Sequence, residues 1–149
     1  IRFFLEHECS PSSMTLLLQK EVVDRIMARE KKESLLSISV KVYGTPRYHG
    51  KVPARYFSPK PKVDSAIISI EDIRNPFKNK YAREIFFKIV RAGFAHKRKM
   101  LSKNLTQIFG KNETTKALSI CDVSPTARAE NLFIDKWKCL LEQLIVDSL

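Results

Sequence analysis

The run Y-F-S-P-K-P-K-V-D-S-A-I-I-S-I, residues 56–70, sets the local architecture from which the rest of the chain can be interpreted. Pro59 and Pro61 fix their own φ angles and push the residues before them into extended geometry, so residues 57–63 are excluded from a helix interior. The β-branched run Ala66–Ile70 is typical of a buried central strand. The pattern therefore predicts a stiff, extended, cationic loop that carries an aromatic ring and leads straight into a strand.

The chain before this loop alternates helical and strand patterns, which predicts an α/β layer. Residues 1–7 are typical of the end of a helix, and the continuous apolar run Met14–Leu18 predicts a strand buried on both faces, as in a parallel sheet. Apolar residues at helical spacing predict a helix over Lys20–Arg29. Residues 35–43 alternate like a strand, but tertiary context often overrides β-propensity, so strand and helix both stay open there; residues 47–54 predict an exposed strand.

The composition changes near residues 72–78, and the pattern beyond them is helical throughout. Residues 81–109 place apolar side chains along one face, but their length predicts a break near Ala95–Lys97. Gly110 should end the second piece, and a short helix capped by Asn112 should follow over 112–120. Ser124 is a further expected helix cap, with Pro125 in the first helical turn. A last helix should place Trp137, Leu140, Leu141, Leu144 and Ile145 on one side.

Positive charge is concentrated in two blocks, and the whole chain carries a formal net charge of +11. Residues 41–64 contain six Lys or Arg against one Asp, and residues 78–111 contain ten against one Glu. Such concentration favours a polyanionic partner, because each neutralised phosphate releases counterions; a merely solvated surface is the alternative. No apolar run reaches 18 residues, so neither a membrane span nor a membrane partner is expected.

The cysteines and histidines are few and scattered. Cys9, Cys121 and Cys139 are odd in number and widely spaced, which predicts neither a disulfide framework nor a zinc site and favours a reducing, cytoplasmic location. His7 and Cys9 lie two residues apart, but the sequence contains no second pair of potential ligands, so no metal is expected. The chain starts at Ile1 without a methionine or a signal-peptide pattern, as expected of a piece of a longer protein.

Four blocks occur in order along nearly the whole chain: L-Q-K-E-V at 18–22, F-S-P-K-P-K-V-D-S-A at 57–66, a basic run at 95–105 and A-R-A-E-N-L at 127–132. Together they resemble the C-terminal half of the small-subunit ribosomal RNA adenine N6,N6-dimethyltransferases, the KsgA type. The L-Q-K-E-V and P-K-V-D-S blocks are shared with the macrolide-resistance methyltransferases that act on large-subunit RNA. The R-A-E-N-L block resembles the small-subunit branch, which favours that branch.

The resemblance implies an α/β plus all-α fold, in which the C-terminal part of a Rossmann-like class I methyltransferase sheet is followed by a small helical domain. Residues 1–74 would be the C-terminal part of the S-adenosylmethionine-dependent methyltransferase domain, and residues 75–149 a helical RNA-binding domain. The resemblance also favours a helix over 35–43. The family's glycine-rich cofactor loop and Asn-Leu-Pro-Tyr motif do not occur in this sequence. The S-adenosylmethionine site is therefore expected on a missing N-terminal part, with no cofactor-binding residue in this chain.

For the target base, the resemblance implies that the ring of Phe57 stacks on a flipped adenine while the adenine amino nitrogen attacks the methyl group. Elementary chemistry agrees, because a base pulled from its stack needs a replacement π-face. The alternative is that Phe57 only caps the core beside Tyr56. Lys60 and Lys62 are candidates for holding neighbouring phosphates, or are simply solvated loop charges.

The basic run is the second candidate RNA contact. Cations at a helix break fan out toward one surface, and Arg can bind a phosphate with two hydrogen bonds; a solvated face is the alternative. The candidate RNA-binding residues of this helical part are Arg91, Lys97, Arg98, Lys99 and Lys103. Glu130 lies between Arg128 and Asn131 in the sequence, which predicts local salt bridges rather than RNA contacts for these two residues.

The resemblance as a whole implies a fragment of an enzyme that transfers methyl groups from S-adenosylmethionine to two adjacent adenines near the 3′ end of small-subunit ribosomal RNA. The reaction would accompany maturation of the small ribosomal subunit, without a metal, and the fragment alone is expected to be inactive. Two alternatives stay open: a non-catalytic RNA- or ribosome-binding module, and an adenine methyltransferase of large-subunit RNA of the macrolide-resistance type.

Overall fold

A computed structural model describes residues 1–7 and 9–146, which form two compact units. The first, the sheet unit, consists of Ile1–Glu30 with Ser39–Pro76, and the second, the helical unit, of Lys31–Ile38 with the chain from Phe77 onward. The elements in chain order are α1 (Arg2–Glu6), β1 (Met14–Gln19), α2 (Lys20–Met27), α3 (Leu35–Lys41), β2 (Thr45–Val52), a 3-10 turn (Ala54–Tyr56), β3 (Ser65–Glu71), α4 (Lys80–Phe94), α5 (Leu101–Phe109), α6 (Lys111–Ile120), a 3-10 turn (Ala129–Asn131) and α7 (Ile134–Val146).

The sheet unit is built on a three-stranded antiparallel sheet with the order β1-β3-β2. β1 pairs with β3 along one side and β2 pairs with it along the other. Ala66, Ile68 and Ile70 of β3 have no exposed surface. The prediction of a buried central strand at 66–70 is therefore confirmed.

The prediction of a parallel strand buried on both faces at Met14–Leu18 is wrong. β1 runs antiparallel to β3, and its residues alternate between half-buried and exposed, with Leu17 51 % exposed. The helix α2, whose Val23 and Ile26 are fully buried, contacts all three strands of the sheet. A short apolar run has the same sequence signature whether one or two of its faces are covered, which is why the pattern misled.

Residues 35–41 form the helix α3, as expected, although their apolar pattern alternates like that of a strand. Ser34 and Ser37 explain the outcome because they cap the helix reciprocally. The Ser37 N–H donates to Ser34 Oγ at 3.1 Å, and the Ser34 N–H donates to Ser37 Oγ at 2.7 Å. Donors that a helix start leaves unpaired are satisfied in this way, so local capping outweighs β-propensity here.

The core of the helical unit forms around Trp137 of α7, which has no exposed surface. Its ring stacks on Phe94 of α4 with a centroid distance of 5.6 Å, and its Nε1–H donates to Leu132 O at 3.2 Å. Gly93 permits this approach, because a Cβ at that position would lie 2.5 Å from Trp137 Cη2. The predicted inner side of the last helix is confirmed.

The predicted break in the long helical pattern is also confirmed, since α4 ends at Phe94 and α5 begins at Leu101. The next boundary differs in detail from the prediction. α6 begins at Lys111 with Gly110 as its N-cap, so the assignment of Asn112 as a cap is wrong. Gly110 has a φ of 84°, a conformation that glycine adopts without strain, and it therefore reverses the chain between two helices without a longer linker.

The predicted helix start at Ser124 and Pro125 is wrong. Residues 124–127 form a turn, closed by a hydrogen bond from the Ala127 N–H to Ser124 O at 2.9 Å. Ser followed by Pro is typical of the first two positions of a turn as well as of a helix start. The Ala127 carbonyl is also used elsewhere, because it accepts from the Leu101 N–H at 2.8 Å.

The cysteine prediction is wrong for two of the three residues, because Cys121 and Cys139 form a disulfide. They lie 18 residues apart in sequence, but Cys121 follows the end of α6 and Cys139 lies on α7, which packs against α6. Their Cα atoms are therefore 5.8 Å apart, within the usual range for a bridge. Sequence spacing could not reveal this proximity, because it arises only when α6 and α7 pack together. Cys9 is a free, exposed thiol.

Candidate nucleic-acid interface

The predicted extended loop leaves the 3-10 turn and leads to β3. Phe57 has an extended backbone (φ −108°, ψ 147°), and its N–H donates to Ala54 O at 3.2 Å. Its side chain is half-buried, so the ring is neither sealed in the core nor fully in water. A ring in this environment keeps part of its surface available to a ligand. Its proposed role in stacking on adenine stays a prediction.

The carboxylate of Asp64 ties the two ends of this loop together. Its Oδ1 accepts from the Ala54 N–H at 2.9 Å, and its Oδ2 lies 3.2 Å from Lys51 Nζ. The Asp64 carbonyl accepts from the Lys20 N–H at 3.0 Å, which joins the loop to the start of α2. The hydrogen bond from Ala54, followed by the interaction with Lys51, lowers the pKa of Asp64 below its ordinary value. The sequence block contained Asp64, but nothing in the spacing showed that it clamps the loop.

The cations of the first charge block divide into paired and unpaired groups. Arg47 forms an ion pair with Glu71, and Lys51 forms one with Asp64. Three further cations are exposed and form no ion pair within residues 1–7 and 9–146; they are Arg55, Lys60 and Lys62. Arg55 lies in the 3-10 turn before Phe57, and Lys60 and Lys62 lie in the loop after it. The positive charge that is free to meet an anion is therefore concentrated on either side of Phe57.

The basic run forms a turn between α4 and α5, which we call the basic turn (residues 95–100). The Lys99 N–H donates to His96 O at 3.0 Å, and the side chains of Lys97, Arg98 and Lys99 are all exposed. Arg91 in the last turn of α4 and Lys103 in the first turn of α5 are exposed on either side of it.

Acidic partners do not neutralise the basic turn. The second charge block contains one acid, Glu84, and this carboxylate pairs with Lys80 at 3.9 Å near the start of α4. Arg91 and the cations of residues 97–103 form no ion pair in the described part of the chain. An unpaired cluster of this density raises the local potential and attracts polyanions.

Asn104 holds the basic turn in its conformation, and the sequence analysis missed it. Its side-chain amide donates to Gly93 O at 2.8 Å and to His96 O at 3.3 Å, and the residue is 3 % exposed. At the other end of the turn, the Leu101 N–H at the start of α5 donates to Ala127 O. The only available signal was a polar residue on the apolar face of an otherwise amphipathic helix.

The R-A-E-N-L block serves the structure of the helical unit. The Glu130 carboxylate lies 3.7 Å from Lys32 Nζ, and the Glu130 carbonyl accepts from the Glu33 N–H at 2.8 Å. Glu130 therefore pairs with Lys32, which is distant in sequence, and not with its neighbour Arg128 as the sequence suggested. Arg128 and Asn131 are exposed beside it.

Neither of two open surface pockets is lined by the predicted site residues. One, of about 450 Å³, lies in the helical unit and is lined by residues including Ser102, Thr115 and Pro125. The other, of about 380 Å³, lies at the foot of the loop and is lined by residues including Lys20 and Asp64. The candidate site is therefore exposed surface in each unit: Phe57, Lys60 and Lys62 in the sheet unit, and the basic turn with Arg91 and Lys103 in the helical unit.

The described residues supply neither of two other classes of site. None of their helices is long and apolar enough to cross a membrane. Their His, Cys, Asp and Glu side chains form no group of three or more that could hold a metal ion.

Solved structures show what this fold resembles. A dimethyladenosine transferase from Plasmodium falciparum matches with a TM-score of 0.79 at 23 % identity, over 98 % of this chain and 62 % of that one. The 23S rRNA methyltransferase ErmE matches with a TM-score of 0.73 at 23 % identity, over 96 % and 58 %. At such low identity these likenesses establish the fold alone: the chain has the fold of part of a ribosomal RNA methyltransferase.

Sequence relatives are more similar. The ribosomal RNA small subunit methyltransferase A of Fusobacterium nucleatum subsp. nucleatum is 39 % identical over 82 % of this chain and 47 % of its own length. Its counterpart in Streptococcus sanguinis is 37 % identical over 93 % and 50 %. The chain thus spans about half the length of these curated relatives. The family model for ribosomal RNA adenine dimethylase matches residues 2–145, and the chain therefore belongs to that family.

Proposed function

We propose that this chain is the RNA-holding part of a small-subunit ribosomal RNA adenine N6,N6-dimethyltransferase. The whole enzyme would transfer methyl groups from S-adenosylmethionine to two adjacent adenines near the 3′ end of that RNA, in the cytoplasm, as the small ribosomal subunit matures. The family membership and the names of the curated relatives support this assignment. The observation that carries it is a half-buried Phe57 ring on a clamped loop among unpaired cations.

Two segments of the chain have separate roles in this proposal. Residues 1–74 are the C-terminal part of a class I methyltransferase sheet, where Phe57 supplies the π-face that replaces base stacking for an extruded adenine. Lys60 and Lys62 bind phosphates next to that nucleotide. Residues 75–149 are an RNA-binding domain, in which the basic turn binds the phosphate backbone. Holding the base in one orientation lowers the entropic barrier to reaction without any strong base in this chain.

The cofactor site belongs to polypeptide outside this chain. S-adenosylmethionine supplies the electrophilic methyl group, and its family-typical site is a glycine-rich loop after a strand. Packing accounts for two of the four glycines: a Cβ on Gly44 would lie 2.7 Å from Glu71 O, and one on Gly93 would meet Trp137. The residues present do not fit the cofactor, so the chain's contribution is to hold RNA.

The test is to measure binding of the chain to a hairpin RNA with the 3′-terminal small-subunit sequence, with either the target adenine or an abasic site. We expect the wild-type chain to lose affinity when the base is removed, by about 1–3 kcal/mol of stacking free energy. Phe57→Leu should bind both RNAs equally weakly, because the missing ring can no longer distinguish them. Equal discrimination by Phe57→Leu and wild type would contradict the stacking role.

Two further measurements separate the alternatives. Equal affinity for a large-subunit hairpin would contradict the small-subunit assignment. Tight binding of labelled S-adenosylmethionine by this chain alone would contradict a cofactor site elsewhere. If the assembled enzyme that contains this chain binds RNA but never methylates it, the chain is a non-catalytic RNA-binding module instead.

A further inference from the structure

Tyr56 exposes its ring at the end of the 3-10 turn, one residue before Phe57 and next to the loop that Asp64 holds in place. The side chain is 68 % exposed, whereas Ala54 two residues earlier is buried and Phe57 is half-buried. Its backbone is fixed nevertheless, because the Tyr56 N–H donates to Pro53 O at 3.1 Å as the last residue of the 3-10 turn. An exposed aromatic side chain on a rigid backbone loses little conformational entropy when it binds a flat ligand.

Arg55 is arranged with this ring. Its guanidinium carbon lies 5.1 Å from the ring centroid of Tyr56, and its Nη2 donates to the Tyr56 hydroxyl at 3.3 Å. No acid within the described chain pairs with Arg55, and Asp64, the acid of this loop, is already engaged by Lys51. The guanidinium lies over one face of the Tyr56 ring, which leaves the opposite π-face and an uncompensated cation, the two groups that bind the base and the phosphate of one nucleotide.

An exposed tyrosine alone is common on protein surfaces and requires no explanation. The difference here is the combination of the ring, the unpaired guanidinium and the neighbouring Phe57. Consecutive Cα atoms lie about 3.8 Å apart, so the side chains of residues 56 and 57 can meet neighbouring nucleotides of one strand. Their unequal exposure indicates two separate positions rather than one shared pocket.

We propose that Tyr56 and Arg55 form a second nucleotide subsite, in which the Tyr56 ring stacks on a base next to the adenine held by Phe57 and Arg55 binds its phosphate. The ligand is an unpaired nucleotide of single-stranded RNA. Any base suits the subsite, because every base has a π-face. This inference rests on the proposed function and extends it from one nucleotide to two.

The test uses the full chain and single-stranded RNA probes with an abasic site at the target adenine, at its 5′ neighbour or at its 3′ neighbour. Tyr56→Phe keeps the ring and should still discriminate the intact probe from the same neighbour-abasic probe as wild type does. Tyr56→Ser should bind the intact probe about tenfold more weakly. The affinity loss of Tyr56→Ser should vanish on one of the two neighbour-abasic probes, because the base that Tyr56 contacts is then absent. The same loss should persist on the target-abasic probe. Phe57→Leu should bind that target-abasic probe with the same affinity as wild type.

Phe133→Ser is the matched control, because Phe133 is 66 % exposed but belongs to the helical unit, for which no base contact is proposed. It should bind all probes as wild type does. Arg55→Gln should lower the slope of log affinity against log salt by about 0.7, the single-strand value for one phosphate. Unchanged thermal melting of each variant would exclude misfolding as the cause.

The outcomes distinguish the two proposals. If Phe57→Leu loses no affinity on the intact probe, the proposed function fails. If Phe57→Leu behaves as expected but Tyr56→Ser binds like wild type, or loses equally on all probes, only the second subsite is overturned. Loss of the Tyr56→Ser effect on the target-abasic probe would also overturn it, because both rings would then contact the same base.

Discussion

The side-chain amide of Asn104 in α5 donates to the carbonyl oxygen of Gly93 in α4 at 2.8 Å, across the break that carries the basic turn. The same amide donates to His96 O at 3.3 Å. Carbonyls at the end of a helix lack intrahelical partners, and here a side chain from the following helix supplies one. The conformation of the exposed cations thus depends on a residue that is itself almost completely buried.

Replacing Asn104 by Asp should therefore destabilise the protein. A carboxylate cannot donate to the Gly93 and His96 carbonyls, so buried acceptors lose their partner, at about 1–3 kcal/mol. Urea unfolding measures the loss, and RNA affinity should fall with it because the basic turn loosens. Gln107→Glu introduces the same charge on the exposed side of α5 and should leave stability nearly unchanged. Equal stability of Asn104→Asp and wild type would show that the two hydrogen bonds are dispensable.

The cations of the basic turn should govern the salt dependence of RNA binding. Replacing Lys97, Arg98 and Lys99 by Ala should weaken binding and flatten the log–log salt slope by about 0.7–0.9 for each lost phosphate contact. Binding titrations over a range of salt concentrations measure this slope. Lys80→Ala is the control, because Lys80 is paired with Glu84 at the far end of α4. An unchanged slope in the triple variant would remove the turn from the RNA footprint.

Asp64 should make stability depend on pH. Its folded-state pKa is lowered by the hydrogen bond from Ala54 and by Lys51, so its contribution is complete above the unfolded value near 3.8. That contribution is lost as the pH falls through the lower folded-state pKa, where the carboxylate takes up a proton. Asp64→Asn should therefore be less stable than wild type at neutral pH, and the difference should shrink in strong acid. Urea unfolding across this range measures it, with the exposed Glu142→Gln as control; a difference independent of pH would contradict the ionic origin.

Gly93→Ala tests the packing beneath the basic turn. Helix propensity alone would favour Ala by about 1 kcal/mol. A Cβ would however lie 2.5 Å from Trp137 and 2.9 Å from Leu101, and such overpacking costs about 1–3 kcal/mol. We expect net destabilisation and altered emission of Trp137, the single tryptophan. Gly50→Ala meets nothing within 4 Å and should leave the emission unchanged; a stabilised Gly93→Ala would mean that the helices move apart readily.

The Cys121–Cys139 disulfide can be tested by counting the reactive thiols. Denatured protein prepared without reductant should show one reactive thiol, that of Cys9, and three after reduction. Reduction should lower the free energy of unfolding by about 3 kcal/mol, the loop-entropy value for a bridge that closes a short loop. Cys9→Ser should not change this loss. Three thiols before reduction would mean that the pair stays reduced, as it would in a reducing compartment.

Several features could be predicted from the sequence because their causes are local. Two prolines are enough to exclude a helix at 57–63, and β-branched residues are enough to favour a buried strand at 66–70. The break between α4 and α5 followed from the length of the apolar pattern. The direction of β1 was predicted wrongly, because a short apolar run carries no information about its partner strand.

The residues that hold the candidate interface in shape emerged only in the folded chain. Asp64 clamps the loop through the backbone of Ala54, and Asn104 holds the basic turn through the carbonyl of Gly93. Both bonds join groups about ten residues apart, and no pattern in residue type specifies such a pairing. Secondary-structure propensity, charge and motif are properties of neighbouring residues along the chain, so they could be predicted from the sequence. Exposure, ion pairing and the meeting of Cys121 with Cys139 depend on which surfaces pack together, and packing alone settled them.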